Sequence, residues 1–205
     1  MDTVIINDVG PRDGLQNDPG SVAPADRVAL IEALVSAGVP AVEVVSFVSP
    51  KAVPKMAGAE QVVAALDLTS PDFSALIPNH KGYELALKAG IRSVAVVLSA
   101  TDTMNQKNVN MDLDTTLRVC EEIVGRACED GVNARAYVSV AVECPYEGPV
   151  PDSRIEDLTA RMFSAGAVEV IVADTIGAAN PRQVKSLFSR LVAAFGAEKL
   201  SAHFH

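Results

Sequence analysis

The sequence predicts an α/β fold, a (β/α)8 TIM barrel with about seven strands present and the C-terminal part missing. Three observations predict it. Short apolar runs alternate with amphipathic helical stretches at a spacing of about 30 residues, the size of a βα unit. Polar residues follow nearly every apolar run, whereas an open doubly wound sheet would gather them at one switch point. No glycine-rich dinucleotide fingerprint or phosphate-binding loop follows the first strand. Composition agrees: 49% of the 205 residues are hydrophobic but only 4% aromatic. Ala/Val-rich runs suit parallel strands covered on both faces.

The elements read as follows. Val4–Asp8 is the first strand, and Ala25–Ala37 a helix opened by Pro24 and closed by Gly38. Ala41–Phe47 is a strand and Ala59–Leu66 a helix. Phe73–Ile77 is the third strand, with a helix over Gly82–Ala89 ended by Gly90. Ser93–Ser99 is the fourth strand. Gln106–Asn110 reads as a polar loop, part of a lid, before a long helix over Leu113–Asp130 ended by Gly131. Strand Ala134–Val140 precedes helix Ser153–Ala165, and strand Val168–Ala173 precedes helix Pro181–Ala194. Leu200–His205 is the seventh strand. The expectation is one domain over residues 1–205, part of a longer chain, because an open barrel leaves strand edges unpaired.

Charge and composition exclude several functions. The net charge of −9 and pI near 4.8 argue against nucleic acid, which needs a basic face. Mean hydropathy is +0.23, with no uninterrupted apolar stretch long enough to span a bilayer, so no membrane partner is expected. No signal or transit peptide is read at the start. Cys120, Cys128 and Cys144 lack paired spacing, which fits a reduced, cytoplasmic compartment. A homo-oligomer is left open.

Function in a parallel barrel sits at the C-terminal ends of strands. After the first strand, Arg12 and Asp13 stand between glycines and a proline. They form either a tight turn with a surface ion pair or a metal-binding carboxylate beside an oxyanion-stabilising guanidinium. Glu43 is a carboxylate inside an apolar strand, either a structural partner of a cation such as Arg12 or an essential acid. Ser46 opens a proline-rich loop whose Lys51 and Lys55 are solvated or meet a phosphate. Tyr137 and Ser139 share one strand face. Cys144 is a weak candidate nucleophile, with no histidine nearby in sequence. Asp174 either caps the following turn or acts as a base. His203 and His205 project from one face of the last strand and converge on one point. With Asp13, across a closed barrel, they make a mixed N/O ligand set for Mg²⁺ or Mn²⁺, with Zn²⁺ or Co²⁺ as alternatives.

These segments resemble the 3-hydroxy-3-methylglutaryl-CoA lyase family over the whole chain, in order. The motifs are Val9–Asn17, Ser46–Lys51 with Val53–Met56, Pro78–Gly82, Lys107–Asn110, Cys144–Gly148, Asp174–Gly177 and His203–His205. The Arg-Asp pair and the His-x-His motif are shared with isopropylmalate, homocitrate and citramalate synthases. Ser-Phe-Val-Ser-Pro-Lys and Cys-Pro-Tyr-Glu-Gly look like the lyase branch.

The resemblance implies metal ligation by Asp13, His203 and His205, and enolate stabilisation by Arg12. It implies essential acids at Glu43 and Asp174, substrate contacts from Gln16 and Ser46, and a pocket tyrosine at Tyr137. It also implies a further Asn ligand and a catalytic Cys beyond His205. The expected reaction is retro-Claisen cleavage of 3-hydroxy-3-methylglutaryl-CoA (HMG-CoA) to acetyl-CoA and acetoacetate. The alternatives are a Claisen-condensing synthase, a lyase for a longer branched 3-hydroxyglutaryl-CoA, and a non-catalytic barrel fragment.

Overall fold

A computed structural model describes residues 4–69 and 72–205. The chain divides into two compact units, Met1–Ala95 and Val96–His205.

In the first unit, β1 (Asn7–Asp8), β2 (Ala41–Ser46) and β3 (Asp72–Ile77) lie side by side and parallel. Asn7 pairs with Ala41, and Ala41 with Asp72. All six β2 residues are buried, as a strand covered on both faces requires. The first strand is much shorter than the expected Val4–Asp8. β2 begins at Ala41, so residues before Asn7 meet no ladder partner there. Val4, Ile5 and Ile6 stay 84%, 78% and 61% exposed. The α-helices of this unit among the described residues are α1 (Leu15–Asn17), α2 (Pro24–Ser36), α3 (Ala59–Ala65) and α4 (His80–Lys88). Helix α4 starts two residues earlier than expected, because the Asn79 side chain accepts the Gly82 N–H at 3.0 Å. Gly82 is required by packing: a Cβ there would stand 2.8 Å from the Phe47 carbonyl oxygen.

Strand β4 (Ser93–Ser99) spans the division between the units. In the second unit, β5 (Asn133–Ser139), β8 (Glu169–Asp174) and β9 (Leu200–Phe204) are parallel neighbours in that order. Between β5 and β8 lies a small antiparallel hairpin that the sequence did not suggest, β6 (Glu143–Cys144) with β7 (Gly148–Pro149). The helices are α5 (Asp102–Val109), α6 (Leu113–Glu129), α7 (Asp152–Ala165) and α8 (Pro181–Phe195).

Helix α5 corrects the expected loop at Gln106–Asn110. Its sequence has no apolar period, and its support is polar. The buried Asn105 amide reaches the Ser99 and Thr101 carbonyls at 2.7 and 2.8 Å, and its oxygen accepts from Ser99 N at 2.9 Å. Glu147, from the hairpin, accepts the Thr103 N–H at 2.7 Å and closes the start of the helix. Asp112 caps α6 through the Thr115 N–H, and Asn180 with Gln183 forms a capping box on α8.

Candidate metal site

In the first unit, Arg12 and Asp13 stand on an irregular turn. Asp8 accepts the Gly10 N–H at 2.8 Å. The chain then makes a single wide π-helical turn over Gly10–Gly14. The Val9 carbonyl receives the N–H groups of Arg12 at 3.1 Å and Asp13 at 2.7 Å. The tight-turn reading of this segment gives way to that wider turn, which π-helical geometry favours at functional places.

Arg12 is only 6% exposed and Glu43 1%. The Arg12 Nε donates to Glu43, and its Nη1 lies 2.6 Å from Asp13 Oδ1. A buried charge is tolerated when paired and hydrogen-bonded, and here two carboxylates compensate one guanidinium. The Arg12–Asp13 ion pair considered from the sequence is part-buried, and Glu43 is a second, fully buried partner of Arg12.

Ser46, at the end of β2, is buried, and its hydroxyl has no hydrogen-bond partner among the described residues. Gln16 is partly exposed on α1, and Lys51 is exposed. Lys55 donates to the Asp18 carbonyl, which engages one of the two lysines considered for a phosphate.

The second unit carries His203 on β9, in register with Ala173, and His205 directly after the strand's end. Residues 203 and 205 share a face, and their Nε2 atoms lie 3.0 Å apart. That separation suits adjacent ligands on an octahedral ion bound at about 2.1 Å, so the donor pair fits a small divalent cation. Tyr137 on β5 meets the His203 ring edge-on, with centroids 5.8 Å apart. Gly177, at φ +64°, packs beneath this pair: a Cβ there would stand 2.8 Å from the His205 carbonyl oxygen.

Asp174 ends β8 and is buried. Its two oxygens accept from Ala178 N at 3.0 Å and Ala179 N at 2.9 Å. Of the two roles read from the sequence, the cap of the following turn is present, and a second lone pair remains on each oxygen. Cys144 is buried in the hairpin and accepts from Thr101 Oγ1 at 3.1 Å.

One feature of this end of the second unit left no trace in the sequence. Val140, at the exit of β5, is buried and holds φ +51°. Its N–H donates to Thr175 Oγ1 at 2.9 Å. Positive φ is strained for a β-branched residue, and such strain gathers at functional sites. Thr175 belongs to the Asp174–Gly177 motif, so that motif fixes the exits of both β5 and β8.

Residues 3–205 match the HMGL-like family. The chain is 38% identical over 203 residues to hydroxymethylglutaryl-CoA lyase YngG of Bacillus subtilis, covering 98% of this chain and 68% of that one. It is 39% identical to the mitochondrial hydroxymethylglutaryl-CoA lyase of Arabidopsis thaliana, covering 98% of this chain and 43% of that one. A solved Bacillus subtilis HMG-CoA lyase matches 98% of this chain at a TM-score of 0.95 and 38% identity, over 68% of its own length. The chain thus spans from under half to about two thirds of the length of these relatives. The likeness establishes the α/β, TIM-barrel class expected from the alternating pattern.

Proposed function

This chain belongs to the HMGL-like family, and we propose that it carries the metal-binding and enolate-stabilising part of a lyase that cleaves HMG-CoA to acetyl-CoA and acetoacetate. The observation that carries this reading is the buried Arg12 guanidinium held between Glu43 and Asp13. Condensing synthases are less favoured, because the similar curated proteins are lyases.

In this reading Asp13 joins His203 and His205 around one divalent ion, Mg²⁺ or Mn²⁺ first and Zn²⁺ or Co²⁺ as alternatives. Such an ion would lower the pKa of the substrate's tertiary hydroxyl. Asp174 takes the hydroxyl proton. The freed electron pair forms the new ketone of acetoacetate as the C2–C3 bond breaks. The pair from that bond passes to C2 and the thioester oxygen, and a proton delivered to C2, by the cysteine that the resemblance implies, completes acetyl-CoA. Arg12 donates to that oxygen as charge develops, and Glu43 keeps the guanidinium in place. Tyr137, Gln16 and Ser46 contact the substrate.

No helix among the described residues is long and apolar enough to cross a membrane. All three cysteines are free thiols, which supports a reducing, cytoplasmic setting.

The test is incubation with HMG-CoA in the presence of Mg²⁺ or Mn²⁺, following acetyl-CoA and acetoacetate. Equimolar products that disappear with chelator and return with metal support the reading. Turnover indifferent to metal contradicts it.

A further inference from the structure

Arg27 lies in the buried stripe of α2 with Ile31 and is 0% exposed. Its Nη1 donates to the Ala57 carbonyl at 3.2 Å. Its Nε and Nη2 have no hydrogen-bond partner among the described residues. Every other buried arginine among the described residues pairs with a carboxylate: Arg12 with Glu43 and Asp13, and Arg135 with Glu169. Burial without a facing anion pulls the Arg27 pKa below its ordinary value.

The two unused nitrogens are not an arbitrary pair. Nε and Nη2 form the side-on edge of a guanidinium, the fork that meets two oxygens of a carboxylate or phosphate in one plane. A water molecule satisfies a donor but leaves the buried charge uncompensated, which is the larger cost. The Ala57 carbonyl that accepts from Nη1 belongs to a short segment packed against α2. Pro54–Met56 forms one 3-10 turn, and Gly58 follows at φ +77°. A Cβ on Gly58 would stand 2.8 Å from Pro24 Cγ, so this segment sits directly on the start of α2. Lys55, in the same turn, donates to the Asp18 carbonyl.

We propose that the Nε/Nη2 edge of Arg27 is a binding site for an oxyanion, a phosphate or carboxylate group admitted when the Pro54–Gly58 segment lifts. The shared chemistry is two coplanar oxygens with negative charge. It can come from free inorganic phosphate, a small carboxylate, or a phosphate of coenzyme A. The coenzyme A source rests on the proposed lyase reading; the other two do not.

The test is calorimetric titration of the full chain with inorganic phosphate, acetate and coenzyme A at constant ionic strength. The comparison variants are Arg27→Met and Arg27→Lys, with circular dichroism confirming their fold. Arg27→Lys keeps the charge without the fork, and it carries the test if Arg27→Met fails to fold. The proposal expects one phosphate or acetate per chain, weakened at least tenfold in either variant. If coenzyme A weakens in parallel, its phosphate is the occupant; if it does not, the occupant is a free anion. Anion binding absent from the native chain, or equal in all three proteins, overturns the proposal. Neither metal nor turnover enters the phosphate arm, so its failure leaves the lyase reading standing.

Discussion

Arg12 donates through Nε to Glu43, and both side chains are almost wholly removed from water. The pair joins the turn after β1 to strand β2, so the guanidinium's position depends on a carboxylate 31 residues away. Arg12→Lys retains a charge but not the planar fork. We expect kcat for HMG-CoA cleavage to fall about 100-fold or more, because one charge-stabilising donor is lost. Glu43→Ala should cost about 3 kcal/mol of stability, because it removes a buried carboxylate that compensates the Arg12 guanidinium. Steady-state kinetics and urea unfolding check these two outcomes separately. Near-native kcat for the lysine variant contradicts the role given to Arg12.

Gly177 supports the histidine strand from below. Its φ of +64° and the 2.8 Å approach to the His205 carbonyl leave no room for a methyl group. Gly177→Ala should therefore displace His205 and raise the Kd for Mn²⁺ about tenfold, with a stability loss of about 1 kcal/mol from the strained φ alone. Metal titration and thermal unfolding of the same preparation check both. Unchanged metal affinity would show that the Gly177 turn does not position the imidazole.

Much of this was legible in the sequence. The helices over Leu113–Glu129 and Pro181–Phe195 show apolar period, caps and closing residues, and the one over Pro24–Ser36 an opening proline and a closing glycine; all three fold close to where those signals place them. Arg12, Asp13, Glu43 and the two histidines stand out because charged or imidazole groups in apolar strands and glycine-rich turns need a reason to be there. What was not legible depends on partners distant in sequence. Helix α5 has no apolar face and is held by Asn105 and by Glu147 from a later hairpin. Residues 4–6 read as strand by composition, but β2 offers them no partner. Val140 gives no sign of its positive φ, because Thr175 imposes it from 35 residues away.

Glu147 makes the start of α5 sensitive to acid. The Thr103 backbone N–H, its first cause, holds the Glu147 carboxyl below its ordinary pKa. A depressed carboxyl pKa stabilises the fold above the unfolded value, and that contribution is lost as pH falls through the folded one. Glu147→Gln should therefore be less stable than the native chain at pH 7. The difference should shrink as pH falls below the ordinary Glu value of about 4.3 and disappear once pH is below the lowered folded value. Urea unfolding across this range checks it. A gap that stays constant with pH contradicts the capping role.

The thiols should divide by burial. Burial pushes the Cys120 pKa up to about 12, Cys144 is buried in the hairpin, and Cys128 is exposed. A thiolate-selective reagent at pH 8 should label Cys128 alone in the folded protein and all three cysteines after unfolding. Peptide mapping by mass spectrometry reads the sites. Rapid labelling of Cys144 in the folded chain would restore it as a candidate nucleophile.

The assignment turns on whether one carboxylate from the first unit and two imidazoles from the second share an ion. Calorimetric titration of Mn²⁺ into the native chain and into Asp13→Ala, His203→Ala and His205→Ala tests this directly. The account predicts one Mn²⁺ per native chain and at least tenfold weaker binding in each variant. Mn²⁺ binding that Asp13→Ala leaves untouched while the histidine variants abolish it would contradict the shared site.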